Sequence, residues 1–132
     1  MLLEIEGDLP IPIEELDQMV SFAASYLEID EDAWITINFS DDMDENVCGF
    51  CDEVEINEKW IEIEVNAKLS VEELKTTIFH EMVHCQQILE GRLVQGSPST
   101  WDGITYDQNY FELPWEVEAY ELERKMVAGY SC

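Results

Sequence analysis

This chain of 132 residues has only two histidines, and they stand four positions apart in His80-Glu81-Met82-Val83-His84. On a helix, positions i and i+4 share a face, so both imidazoles can reach one metal ion. Two imidazoles do not complete a catalytic metal site. The fold must therefore carry a third ligand, from a distant part of the chain, onto this helix. Glu81 then stands beside the ion, where it can take a proton from an activated water. Random placement would give this spacing, with a glutamate after the first histidine, roughly once in 400 shuffles of the composition.

The flanking sequence supports the helix. Ser70 is a good N-cap with Glu73 at the capping-box position, and Gly91 is a natural stop near residue 90. Val71, Leu74, Ile78, Met82 and Leu89 recur as an apolar stripe. Upstream, residues 11–28 read as a helix on the spacing of Ile13, Leu16, Met19, Val20, Ala23 and Leu27, with Pro12 in the first turn. Trp34 to Phe39 alternates as a strand with Ile35, Ile37 and Phe39 inward. Two more strands are expected at about 48–56 and 59–66, joined by a tight turn at Asn57-Glu58. In the second, Ile61, Ile63 and Val65 face the core while Glu62 and Glu64 face water. Residues 91–113 look irregular, and Pro114 opens a last helix to about Val127, ended by Gly129. The expected architecture is α+β: an N-terminal helix, a small three-stranded, mainly antiparallel sheet, the histidine helix, a long loop and a C-terminal helix.

The length suits one domain over residues 1–132. Hydrophobic residues make up 46% of the chain, enough for a core, yet the formal charge is −25. Such a chain repels nucleic acid and anionic membranes, so neither is an expected partner. Met1 to Asp8 has no basic-then-apolar leader, and no stretch reaches transmembrane length. A cytoplasmic protein with reduced cysteines is expected. Cys48-Gly-Phe-Cys51 is a lone C-x-x-C without a matching second pair, read as a buried or turn-flanking pair. Cys85 points away from the metal into the core, and Cys132 is terminal and free.

With no third histidine, the remaining ligand is a carboxylate or a cysteine. Pro114-Trp115-Glu116-Val117-Glu118-Ala119-Tyr120 offers Glu116 in the first turn of the last helix, with small Ala119 on the same face. Ala119 would let the two helices approach closely. Glu118, Glu112 and Asp107 are the other carboxylate candidates. Gln87 lines the histidine face and either contacts substrate or bonds the adjacent loop. Tyr106 or Tyr110, in the aromatic loop, is expected to donate to a carbonyl oxygen that develops negative charge. Trp101, Tyr106, Tyr110, Phe111 and Trp115 read equally well as a substrate lining or as core packing around the loop.

In these motifs the chain resembles the gluzincins, zinc peptidases with H-E-x-x-H on one helix and a ligand Glu, in E-x-x-A or E-x-x-x-D, on a following helix. Glu116 to Ala119 fits E-x-x-A, 32 residues after His84. The resemblance covers roughly residues 34–127 and extends to compact single-domain members of phages and mobile elements. It implies a zincin-like fold and one Zn2+ held by His80, His84 and Glu116. It further implies hydrolysis of peptide bonds in a peptide or protein substrate, with Glu81 as the base and the host cytoplasm as the setting. Members of the class pair extended substrate with a sheet edge, here residues 48–56 or 59–66. Many also carry Asp or Asn four residues after the ligand Glu to hold a histidine. That position is Tyr120 here, so the acceptor is expected from Glu118, a backbone carbonyl or another loop carboxylate. The competing class is a non-catalytic acidic binding protein, keeping zinc for structure or imitating nucleic acid. Oligomeric state is not legible.

Overall fold

The computed structural model describes residues 1–96, 98–107 and 112–130. Four strands form a mixed sheet: β1 (Leu2–Gly7), β2 (Trp34–Ser40), β3 (Gly49–Glu55) and β4 (Trp60–Asn66), in the order β1-β2-β4-β3. The α+β expectation holds, but the sheet departs from it in two ways. It has a fourth strand, and two of its three pairings, β1–β2 and β2–β4, are parallel. Only β3 runs antiparallel, to β4. β1 escapes the periodicity reading because it is a short edge element whose partner lies beyond a helix. That helix, α1 (Ile13–Tyr26), makes the crossover a parallel pair requires.

The strand pattern follows burial. Ile35, Ile37, Ile61, Ile63 and Val65 are sealed under the helices. Glu4, Glu62 and Asp52 fall in one register row across the opposite face, and Glu6 and Glu64 in the next. Strands β3 and β4 are joined through a 3-10 turn at Ile56–Glu58, with Lys59 left-handed at φ 53°, so the connection is longer than the expected Asn57-Glu58 turn.

The histidine helix α2 spans Val71–Leu89, and its capping box forms as expected, with Ser70 and Glu73 each bonding the other's backbone N–H. Leu74, Ile78 and Met82 are fully buried, whereas Val71 is 52% exposed in the first turn and drops out of the expected stripe. The helix lies between β3 and β4 on one side and α3 (Pro114–Tyr130) on the other. α3 passes through Gly129, which therefore does not end it at 127. The segment expected to be irregular contains a small antiparallel sheet of β5 (Leu93–Val94), β6 (Ser99–Trp101) and β7 (Ile104–Tyr106). Among the described residues, no helix is long and apolar enough to cross a membrane.

Candidate metal centre

His80 and His84 project from successive turns of α2 with ring centroids 4.9 Å apart. Pro114 starts α3 and places Glu116 in its first turn. Ala119, fully buried, lets α3 close onto α2. The result is convergence: Nε2 of His80 lies 3.2 Å from Glu116 Oε1, and Nε2 of His84 lies 2.7 Å from the same oxygen. The ligand atoms of these three residues all lie within 4.8 Å of one another, so the group can hold one metal ion. Of the other carboxylate candidates, Glu118 is engaged elsewhere, as described below. Asp107 and Glu112 are exposed and do not line the cleft.

The opposite ring nitrogens are pinned. His80 Nδ1–H donates to Glu123 Oε1 at 2.8 Å, and His84 Nδ1–H donates to Gln87 Oε1 at 2.8 Å. Each bond fixes the ring's orientation and, in the neutral ring, leaves the lone pair on Nε2, facing Glu116. Gln87 cannot flip its amide without loss. Its Nε2 donates to the Trp115 carbonyl at 3.0 Å and to Glu118 Oε1 at 3.1 Å. Arg92 in turn grips both oxygens of Glu118, at 2.9 and 3.0 Å, while its guanidinium lies over the Trp101 ring. His84 thus ends a chain running through Gln87 and Glu118 to Arg92.

The acceptor for a ligand histidine is expected at Glu118, a backbone carbonyl or another loop carboxylate; for His80 the structure supplies a different one. It is Glu123, seven residues after Glu116, a spacing that repeats a helix face and was the available signal. Gln87 bonds Trp115 and Glu118 of α3 rather than the adjacent loop, and it is the acceptor for His84 as well. Tyr120 fills the position four residues after Glu116, its ring centroid 4.6 Å from that of His80.

A cleft of about 560 Å³ opens over the group, bordered by Gly49, Phe50 and Cys51 of β3, by Thr77 and Glu81 of α2, and by Gln95, Trp115 and Tyr120. Tyr106 does not border it. That ring packs edge-on against Trp115 with centroids 5.8 Å apart, which favours the packing alternative for this aromatic. Tyr110, Phe111 and Cys132 lie outside the described residues. Cys51 and Cys85 are buried with their sulfurs 3.6 Å apart, whereas Cys48 is exposed. The C-x-x-C therefore straddles the start of β3, with Cys48 exposed just before the strand and Cys51 buried within it.

The electrostatics favour a cation. Burial opposes charge on His80, but hydrogen bonds to Glu116 and Glu123 and the nearby Glu81 outweigh it and carry its pKa up to about 9. His84 is raised against burial in the same way, chiefly by Glu116. Hydrogen bonds from His80 and His84 hold Glu116 well below the ordinary carboxylate range. Glu81, only 6% exposed, is pushed upward by burial, with the two imidazoles opposing. Three carboxylates around two buried rings gather protons, and a divalent ion supplies the same neutralisation. Comparison of the chain with protein families, curated proteins and solved structures returns no match.

Proposed function

We propose that this protein is a zinc-dependent peptide-bond hydrolase of the gluzincin type. One observation carries the reading: two Nε2 atoms and a carboxylate oxygen converge at the floor of an open cleft, with both Nδ1 atoms anchored behind them. Two imidazoles and a carboxylate suit zinc better than harder ions, and a pinned, tautomer-fixed ligand pair is what a preorganised site requires. The zincin-like reading of the fold draws support from the same arrangement. An antiparallel edge strand borders the cleft, the histidine helix lies beneath it, and the ligand Glu comes from a following helix.

Zinc held by His80, His84 and Glu116 would supply Lewis acidity, activating water near neutral pH. Glu81, buried in the cleft wall with a raised pKa, is suited to accept the proton from that water and hand it to the departing amine. Tyr120 borders the cleft beside His80 and is placed to serve as the donor that Tyr106, packed against Trp115, does not supply. Of the two candidate strands β3 is an edge and β4 is not, and β3 borders the cleft, so an extended peptide lies along β3.

The test compares wild type with Glu81→Gln on casein and a peptide library, with zinc content measured for both. The reading predicts one zinc per chain in each protein and a loss of turnover in the variant of about 10²–10⁴-fold. Stoichiometric zinc with no cleavage by wild type would leave a binding protein, and equal cleavage by both would remove Glu81 from the chemistry.

A further inference from the structure

The free edge of β3 is already partly occupied, by a side chain. Gln95 follows β5 and reaches across to the strand. Its Nε2 donates to the Cys51 carbonyl at 2.8 Å, and its Oε1 accepts from the Glu53 N–H at 3.0 Å. Those two backbone groups bracket Asp52. One amide therefore makes the donor and acceptor bonds that one residue of an added parallel strand would make.

The register shows what remains. Phe50 and Asp52 stand opposite Glu64 and Glu62 of β4, and in an antiparallel ladder alternate residues turn their N–H and C=O away from the partner. The bonds to Gln95 identify 51 and 53 as outward-facing, which makes 49 outward-facing as well. The Gly49 carbonyl and the Cys51 N–H bracket Phe50 just as the Gln95 pair brackets Asp52. Gly49, Phe50, Cys51 and Gln95 all border the cleft over the metal group. Gly49 is held by packing against β4 and α2: a Cβ there would come within 2.7 Å of the Glu64 carbonyl oxygen and 2.9 Å of Thr77 Cγ2.

We infer that Gln95 is a specificity-determining plug: it ends main-chain recognition along β3 at the single rung between Gly49 and Cys51, so the substrate is a peptide that ends or turns away next to that rung. The inference rests on the peptidase reading. It adds that the cleft is short on one side by construction. Gln95 is exposed, so its two bonds form in competition with water and its removal leaves the core untouched.

The experiment uses zinc-loaded wild type and Gln95→Ala, with two series of alanine–valine peptides carrying a metal-binding hydroxamate at the C-terminus or the N-terminus. Each series is lengthened from one residue to four, and affinity is measured by titration calorimetry. In one series wild type is expected to stop gaining affinity after the first residue. In the same series Gln95→Ala is expected to keep gaining, by about tenfold when the two freed backbone groups are engaged. Equal length dependence in the two proteins would overturn the plug while leaving the peptidase reading standing. Failure of every member of both series to bind either zinc-loaded protein would overturn the peptidase reading, and the plug with it.

Discussion

Beneath the sheet, Ile35, Ile37, Ile61 and Ile63 are completely buried, and none of these side chains carries a polar atom. Between α2 and α3, by contrast, the molecule buries His84 and Gln87. Burying polar groups costs free energy unless each finds a partner. In this seam His84 bonds Gln87, Gln87 bonds Trp115 and Glu118, and Glu118 is held by Arg92. The first region needs only volume and shape. The second needs particular atoms at particular places, and all of its bonds orient one end of the network, the imidazoles. A protein that wanted only stability would fill the seam as it fills the sheet.

The sharpest way to break this contrast is to damage each region once. His84→Ala is expected to abolish stoichiometric zinc binding, read by metal analysis after desalting. Ile63→Ala is expected to cost roughly 2–5 kcal/mol of stability by denaturant titration, while the folded fraction still binds one zinc. If both variants lost zinc equally while folded, the two regions would not be separable. A smaller effect tests the anchors. Glu123→Ala and Gln87→Ala each release one Nδ1 and are expected to weaken zinc affinity by about 10–100-fold, measured with a competing chelator. Unchanged affinity in both would mean that the pinned rings do not matter.

The last comparison is in pH. With its pKa raised to about 9, His80 in the metal-free protein is protonated at neutral pH, and zinc must displace that proton. Apparent affinity is therefore expected to rise with pH, by up to about tenfold per unit for each proton released, and to level off above pH 9. The stability of the metal-free protein runs the other way. The contribution of charged His80 is complete below its ordinary value near 6.5 and fades as pH rises through about 9. Zinc should accordingly raise the melting temperature more at pH 9 than at pH 6.

Much of the seam was legible because its signals are local. The Ser70 capping box starts α2, the four-residue spacing places both rings on one face, and Pro114 with Ala119 marks a close-packing helix that presents Glu116. What escaped is non-local. β1 pairs with a strand some thirty positions away across α1, and no window on Leu2–Gly7 contains that partner. Gln95 reaches Cys51 over 44 positions. Tyr106 looked available because it sits in an aromatic loop, and the structure packs it against Trp115 while the helix delivers Tyr120 to the cleft. Glu123 lay in view as a helical repeat of Glu116, hidden only by the number of acidic residues around it.

The central claim concerns which atoms face the ion. Zinc-edge X-ray absorption on the protein loaded with one equivalent of zinc tests it directly, because sulfur scatters distinguishably from nitrogen and oxygen and imidazole rings add a multiple-scattering signature of their own. Zinc bonds are expected at about 2.0–2.2 Å to nitrogen and oxygen, with the signature of two imidazoles. A sulfur shell near about 2.3 Å would place the ion on cysteine and contradict the account.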